Sequence, residues 1–286
     1  MGCSPPAAPP PPPNPLAIDQ RFKELCHSEY QLPAIKTLRA GRTLWVYLPM
    51  EKPIFELKIS EENEASPVPP PSKPPASPPP WSILYLKTEF REKTFFIEYD
   101  LIPSTKSAAG DGVSPEHTKE FADAESHLVE AVSRVYFDAK PGEEVDFVVF
   151  VIADIKTGIA VKETLYLEDL KRLSTESIPQ EEFFQRFLQE TWGKKSLVGD
   201  ATGASLVAQG VSWGDFLSRQ IENRIYFKYE KSDFPPGEDV EHEIMGQVAI
   251  TVGVYNFTDF DSVKLHNLRE KKTYDFRKDQ LGTFKQ

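Results

Sequence analysis

The chain has 286 residues, of which 40% are hydrophobic, and a formal net charge of −11. This length and apolar content are those of a folded protein with one large domain or two to three small ones. The acidic surface repels phosphate backbones, which excludes nucleic acid as an expected partner, and no stretch of sequence is apolar over the roughly 18 residues that a membrane-spanning helix needs.

The amino terminus reads Met-Gly-Cys-Ser and runs directly into a proline-rich segment. A small residue, a cysteine and a flexible tether in this order resemble the start of a processed bacterial lipoprotein. The resemblance implies that Cys3 carries a lipid, which is the chain's only attachment to a membrane, and that the protein lies at the periplasmic face of the cell envelope. N-myristoylation at Gly2 is a competing modification, but Pro6 stands where its signal has Ser or Thr. The remaining alternative is an unmodified tail on a soluble protein.

Two segments are too rich in proline to join a packed core. Proline fixes φ and removes an N–H donor, so residues 1–15 are expected to form an extended, disordered tether. Residues 61–80 have the same composition and are expected to form an exposed loop, since they cannot bury apolar surface. We interpret this loop as an insertion, because the sequences on both sides of it are strand-like.

Two short sequences recur in the second half of the chain in the same order. SRVYFD at residues 133–138 recurs as NRIYFK at 223–228, and PGEEV at 141–145 recurs as PGEDV at 236–240. In each case a helical pattern precedes the echo and two strand-like segments follow it. The repeat predicts an α+β fold of two or three tandem α-β-β-β modules with antiparallel sheets, each covered by a helix.

The earlier clear copy occupies residues 114–175. Ser114 and Pro115, a capping residue and a proline at the first helical position, are expected to begin its helix, and the echo to form its short strand. Residues 145–155 are apolar on both alternating sets, as in a strand buried on two faces, and residues 159–167 alternate as the hairpin partner.

The later clear copy occupies residues 212–286. Ser212 and Asp215 form a capping-box pattern that predicts a helix, and the echo is again expected to form a short strand. Residues 245–257 place apolar side chains at alternate positions and are predicted as a strand, with residues 263–276 as a more polar edge strand.

A degenerate third module is expected over residues 16–104, although it lacks the echoes. Its strands would be residues 42–49 and the hairpin at 81–102, with the proline-rich loop inserted between them. Residues 176–211 are expected to hold a further helix, at 179–192, and a linker. The first module's helix carries apolar residues at helical spacing: Ile18, Phe22, Leu25 and Cys26.

No residue pattern in the sequence specifies catalysis or a bound cofactor. His242 and Glu243 begin a zinc-hydrolase motif, but Gly246 stands at the position of the second histidine. No serine lies in a nucleophile elbow, and Cys26 has no base on its own helix face. We therefore expect no enzyme activity, no cofactor and no metal.

Four aromatic residues near the inserted loop form a possible contact patch: Trp45, Tyr47, Trp81 and Tyr85. Aromatic side chains that point outward together mark an interaction surface. The other interpretation is that alternate residues of these strands pack into the core.

The sequence favours a non-enzymatic, lipid-anchored envelope protein that binds an unidentified envelope protein as an interaction or assembly module. One alternative is a binding module for a small apolar ligand held between helix and sheet, lined by residues such as Phe147, Phe150 and Phe216. The other is an enzyme of unrecognised class, which requires carboxylates or histidines that converge in a cleft with shifted protonation.

Overall fold

The computed structural model describes residues 15–33, 35–59, 81–103, 113–231 and 239–284. The predicted tether before Pro15, the inserted loop at 61–80 and the later Pro-Gly turn lie outside the described residues. In chain order the elements are α1 (Pro15–Ser28), β1 (Lys36–Ala40), β2 (Thr43–Met50), β3 (Phe55–Ile59), β4 (Trp81–Arg91), β5 (Thr94–Pro103), β6 (Val113–His117), α2 (Lys119–Tyr136), β7 (Phe147–Asp154), β8 (Ile159–Tyr166), α3 (Leu167–Ser174), α4 (Gln180–Arg186), β9 (Leu188–Gly193), α5 (Trp213–Tyr226), α6 (Val240–Val254), β10 (Ser262–Asn267) and β11 (Lys272–Arg277).

The chain divides into two compact units. The first unit comprises Met1–Glu56, His117–Gln180 and Gln189–Gly210, and the second comprises Leu57–Glu116, Glu181–Leu188 and Val211–Gln286. Neither unit coincides with the predicted ranges 16–104, 114–175 and 212–286, because each unit collects strands from distant parts of the chain. The fold is nevertheless of mixed α and β content with antiparallel strand pairs, as the sequence predicts.

The first unit is built on a sheet with the strand order β1-β2-β7-β8-β9. Its inner strands β2 and β7 run parallel, and each pairs antiparallel with its sequence neighbour. Helices α1 and α2 pack against each other, and the Asp19 carboxylate of α1 accepts from Arg39 of β1 at 2.8 Å and from the Tyr136 hydroxyl of α2 at 2.6 Å. A buried ion pair and a hydroxyl thus join three elements of this unit.

An irregular segment before residue 210 lies against β2 in the same unit. The Tyr47 hydroxyl donates to the carbonyl of Asp200 at 2.7 Å, and the Trp45 indole N–H donates to the carbonyl of Gln209 at 2.7 Å. Gly203, with φ of +65°, passes so close to Tyr47 that a Cβ would lie 2.7 Å from its ring. Every residue of β7 is buried, as expected for a central strand with apolar side chains on both faces.

The second unit is built on a sheet with the strand order β11-β10-β5-β4. Its inner strands β5 and β10 run parallel, and the outer strands pair antiparallel with them. Helix α5 packs along β4, where a Cβ on Gly214 would overlap the ring of Phe90, and the Thr88 amide donates to the Glu222 carboxylate at 3.0 Å. The Tyr99 hydroxyl of β5 donates to Glu241 of α6 at 2.6 Å.

Both units therefore share one internal arrangement, in which two hairpins meet through a parallel pair of inner strands. The hairpins alternate along the chain, since β1-β2 and β7-β8 belong to the first unit while β4-β5 and β10-β11 belong to the second. Parallel pairing needs a long crossover connection. In each unit, the chain between the two parallel strands includes a hairpin of the other unit and so supplies this long connection.

Several sequence predictions are confirmed. The hairpin at 81–102 is β4-β5, the predicted strand at 42–49 is β2 from Thr43 onward, and 145–155 contain β7, with the turn before Gly158 (φ +76°) leading into β8. Ser212 is the cap of α5, and its hydroxyl accepts from the Asp215 amide at 3.1 Å. Helix α1 buries Ile18, Phe22 and Cys26 as predicted.

The predicted strand at 245–257 is wrong, because residues Val240–Val254 form α6. Its apolar residues also recur at helical spacing, and Ile244, Val248 and Val252 are all buried. A helix that is apolar on most sides carries no amphipathic period, so alternation of Val and Ile imitates a strand. The predicted edge strand at 263–276 is instead the hairpin β10-β11.

Both predicted short strands at the echoes are also wrong, since 133–138 lies largely in α2 and 223–228 largely in α5. The buried Val135 and Tyr136 continue the apolar face of α2, and this packing outweighs their strand propensity. Helix α2 begins after Thr118, whose side chain accepts from the Phe121 amide, while the predicted start at Ser114 and Pro115 lies in β6.

The predicted helix at 179–192 ends early. Helix α4 stops at Arg186, and β9 follows as the edge strand beside β8. The side chains of Gln189 and Glu190 both bind residues of β8, at 3.0 Å and 2.8 Å. These contacts fix residues 188–193 as a strand.

The two echoed arginines occupy the last turns of α2 and α5. Arg134 is 45% exposed and pairs with Glu29, whereas Arg224 is 7% exposed and binds Glu182 at 2.8 Å. They share a position in their helices but differ in burial and partners.

Candidate functional site

One face of the second unit's sheet is formed by polar and charged side chains in a regular grid. We call it the open face and define it by twelve residues, given strand by strand: Lys87, Glu89 and Arg91 of β4; Thr94, Phe96 and Glu98 of β5; Ser262, Lys264 and His266 of β10; and Thr273, Asp275 and Arg277 of β11. The alternate residues of β5, Phe95, Ile97 and Tyr99, are buried on the opposite face. Alternation along a strand therefore separates a core face from a solvated one.

Phe96 is the single aromatic residue among these twelve. The guanidinium of Arg91 lies over its ring, 4.2 Å from the centroid, and the ammonium of Lys264 lies 5.7 Å from it. Arg91 is on β4 and Lys264 on β10, so the two cations approach the ring of the intervening strand from either side. Cations above an aromatic face are attracted by its quadrupole, which holds both side chains close to the ring.

The other charges of the open face are arranged in pairs. Lys87 binds Glu89 at 2.7 Å, and this hydrogen bond lowers the pKa of the Glu89 carboxyl and raises that of Lys87. Lys264 lies 3.7 Å from Asp275. Because all four side chains are largely exposed, these pairs contribute little stability but fix where charge is presented.

Glu98 and His266 occupy neighbouring positions on β5 and β10. The carboxylate of Glu98 lies 3.8 Å from Nδ1 of His266, and both side chains are more than 40% exposed. The pair places an imidazole and a carboxylate within reach of solvent on the same face.

These side chains line an open groove of about 360 Å³. Its lining consists of Lys87, Glu89, Arg91, Phe96, Ile97, Glu98, Lys264, His266 and Thr273. Three of these residues are basic and two are acidic, so the groove carries a local positive excess in a chain whose net charge is −11. Local fields of this kind favour partners of opposite charge.

Arg91 differs from the other cations of the groove. Lys87 and Lys264 each have a carboxylate within 4 Å, but the guanidinium of Arg91 makes no hydrogen bond or ion pair with any residue in the described parts of the chain. A guanidinium carries its five N–H donors in its plane, so contact of its face with Phe96 leaves those donors available.

The four predicted patch residues divide between the two units. Tyr47 is fully buried, and Trp45 donates its indole N–H within the first unit, so for Tyr47 the contact-patch prediction is wrong and core packing is observed. Trp81 begins β4 and Tyr85 is 41% exposed on the same strand, both in the second unit. Only Tyr85 continues the row of β4 residues that belong to the open face.

The predicted lipidation residue, Cys3, lies outside the described residues. Within the residues that the structure describes, no helix has the length and apolar content to cross a membrane, and no group of three or more His, Cys, Asp and Glu side chains could hold a metal ion. The second cysteine, Cys26, is buried in α1, and burial raises the pKa of its thiol to about 12.

A separate pair of carboxyls lies inside the first unit. Glu163 of β8 is fully buried, its Oε1 accepts from Gln189 at 3.0 Å, and its Oε2 has no hydrogen-bond partner among the residues that the structure describes. Burial, reinforced by the nearby Glu125 of α2, raises the pKa of the Glu163 carboxyl, and burial also raises that of Glu125. Such a pair holds a proton near neutral pH, which is the protonation behaviour that acid–base chemistry uses.

Comparison with protein-family models, with curated proteins and with solved structures finds no match to this chain. The function must therefore be argued from the site itself.

The open face was missed by the sequence analysis, although a signal was present. In KTFFIEYDLI the residues Thr94, Phe96, Glu98 and Asp100 alternate with an apolar set. The outward set contains one aromatic among polar residues, and an aromatic on a solvated strand face indicates a contact surface.

Proposed function

We propose that the chain is a non-enzymatic protein-interaction module of a bacterial cell envelope and that the open face of the second unit is its contact surface. The observation that carries this proposal is the Arg91–Phe96 stack inside a groove of ordered charges. Arginine and aromatic side chains are the residues most enriched among those that dominate protein interfaces.

The groove fits a polar macromolecular partner better than a small apolar ligand. Among its lining residues one apolar side chain, Phe96, lies on the open face, against five formally charged side chains, while Ile97 is buried on the opposite face of the sheet. Pockets for small apolar ligands are lined mainly by hydrophobic residues. The phenylalanines suggested for such a pocket, Phe147, Phe150 and Phe216, are each almost fully buried, and they divide between the two units.

We also propose that the chain is held at the membrane by a lipid on Cys3. The support is the sequence Gly2-Cys3-Ser4 followed by a proline-rich segment, which suits a tether that holds a binding module away from the bilayer. Intact-mass and peptide mass spectrometry of the native product tests this directly. A diacylglyceryl adduct on Cys3 is expected, and an unmodified thiol would remove the anchor and leave a soluble protein.

An internal duplication is the third part of the proposal. The sequence predicts tandem α-β-β-β modules, and the repeat unit we now propose is a helix followed by a hairpin. Its support is the common strand arrangement of the two units together with the echoed sequences at the ends of α2 and α5. Superposition of the two units hairpin on hairpin in the same chain order would support duplication. A different strand order in either unit would contradict it.

The contact surface can be tested by position-specific photo-cross-linking in cells that make the protein. A photoreactive residue replaces Thr273, which is exposed on the open face, and the matched control replaces Ala122, which is exposed on α2 of the first unit. We expect one discrete cross-linked product from position 273 that is not formed from position 122. Equal products from both positions, or none from 273, would count against the open face as the interaction surface.

A further inference from the structure

The geometry of the groove points to the chemistry of the partner, and we propose that the Arg91–Phe96 stack binds a carboxylate of an acidic peptide segment. This inference rests on the proposed function, because it names what the interaction module recognises. It goes beyond that proposal because it assigns the recognition to one side chain and one chemical group.

The availability of Arg91 is the first argument. The chain has 44 acidic residues and 33 Lys and Arg, so an exposed arginine without a carboxylate partner is surrounded by potential acceptors. Arg91 nevertheless lies 4.2 Å from the centroid of Phe96 and makes no ion pair among the described residues. The next acid along its own strand face, Glu89, is hydrogen-bonded by Lys87 at 2.7 Å and feels Arg91 only as a weaker electrostatic attraction. The guanidinium is therefore left to bind an external acceptor.

The second argument is preorganisation. A long arginine side chain loses rotamer freedom when it binds, and this loss reduces affinity. Contact with the Phe96 ring restricts the side chain before any partner arrives. A planar guanidinium held in this way can donate two parallel hydrogen bonds to a carboxylate, which a lysine ammonium cannot.

The local charge favours a singly charged carboxylate over a phosphate or an anionic membrane. The groove's three basic and two acidic residues leave one excess positive charge, which a single carboxylate neutralises. A dianionic phosphate would be repelled by Glu89 and Glu98, and an extended anionic surface would meet the chain's net charge of −11. Lys264, 5.7 Å from the same ring, already has Asp275 at 3.7 Å, so Arg91 is the cation of the stack that remains for the carboxylate.

The test uses the full-length protein and three synthetic peptides, Ac-Gly-Ser-Ser-Glu-Phe-Ser-Gly-Ser-amide and the versions with the Glu replaced by Gln or by Lys. Binding is followed by NMR on ¹⁵N-labelled protein through the Arg91 Nε–H resonance and the backbone amides of β4, β5 and β10. We expect the Glu peptide to shift these resonances with saturation, whereas the Gln and Lys peptides do not.

Two variants separate the role of the guanidinium from general charge. Arg91→Ala should weaken binding of the Glu peptide at least tenfold, and Arg91→Lys should weaken it severalfold although the charge is kept. The matched control is Arg219→Lys on α5, outside the groove lining, which should leave the affinity unchanged. Retention of the backbone amide spectrum in each variant shows that the fold is intact.

Glu and Gln peptides that bind alike, or an Arg91→Ala variant that keeps its affinity for the Glu peptide, would overturn the carboxylate proposal. If position 273 still forms its specific cross-link in that case, the interaction surface stands and only the partner chemistry is wrong. If the cross-link is also missing, the proposed function fails with it.

Discussion

The buried carboxyl of Glu163 makes stability depend on pH in a direction that can be derived from the structure. Its side chain is fully buried, and burial together with Glu125 raises its pKa from an ordinary value near 4.5 to about 8. Between these two values the folded chain keeps a proton that the unfolded chain releases. The free energy of unfolding therefore decreases as the pH rises through this window, and the contribution is fully lost above the folded-state pKa.

The substitution Glu163→Gln keeps the shape of the protonated side chain and removes its ionisation. Each pKa unit corresponds to about 1.4 kcal/mol, so the change from 4.5 to about 8 sets a ceiling of about 5 kcal/mol on the cost of ionising Glu163 in the folded chain. We expect the variant and the wild type to be similar at pH 5 and the variant to be more stable at pH 9, by about 2 kcal/mol or more.

Urea unfolding monitored by circular dichroism at intervals from pH 5 to pH 9 measures this difference. Glu130→Gln is the matched control, since Glu130 is an exposed residue of α2 and its replacement should leave the pH profile of the wild type unchanged. Stability curves of the wild type and Glu163→Gln that run parallel over the whole range would refute a buried, proton-holding carboxyl at this position.

Three further substitutions test the packing of the two units, each by urea unfolding. Asp19→Asn weakens the charged hydrogen bonds that the Asp19 carboxylate accepts from Arg39 and Tyr136. It should destabilise the first unit by about 3 kcal/mol, because Arg39 is left without its buried partner. An unchanged urea midpoint would contradict this. Gly214→Ala places a Cβ against the Phe90 ring and should destabilise the second unit by about 1–3 kcal/mol. The control is Gly282→Ala, where a Cβ meets no atom within 4 Å and stability should change little. Equal effects of the two substitutions would refute the close approach of α5 to β4. Ser212→Ala removes the cap of α5 and should cost about 1 kcal/mol, which Ser212→Thr should largely restore because a threonine hydroxyl can still accept from the Asp215 amide and donate to the Asp215 carboxylate. An equal loss with both variants would show that the cap is not the cause.

The sequence predicts best those elements in which the spacing of the apolar residues matches the pattern of burial. Strand β7 is apolar at every position before Asp154 and is buried throughout, and Ser212 caps α5 through the pattern that identifies a helix start. Helix α6 was misinterpreted because its Val and Ile residues alternate while burial on most sides removes the amphipathic pattern.

Strand partners are harder to predict than strands. The hairpins β1-β2 and β4-β5 are adjacent in sequence, yet the first pairs with β7 and the second with β10. Alternation specifies which residues face a core, but it does not specify which distant strand lies alongside. A sequence divided into three consecutive modules therefore gives no sign that the hairpins alternate between two sheets.

The candidate site illustrates the same limit. The outward position of Phe96 follows from the alternation of β5, but the contact with Arg91 depends on the register that pairs Glu89 with Phe96 and Arg91 with Thr94. Tyr47 shows the converse, because an aromatic that the sequence leaves free to point outward is covered by the segment that contains Asp200 and Gly203. Long-range pairing decides both outcomes.

Protection of open-face lysines in the native envelope tests the central claim most directly. Lys87 and Lys264 are 52% and 41% exposed on the open face, and Lys119 is 83% exposed on α2 of the first unit. Amine labelling followed by mass spectrometry compares each lysine in intact envelopes with the same lysine in the purified chain. We expect labelling of Lys87 and Lys264 to decrease in the envelope while that of Lys119 is unchanged. Labelling of the two open-face lysines that is equal in both preparations would contradict an interaction surface at this sheet.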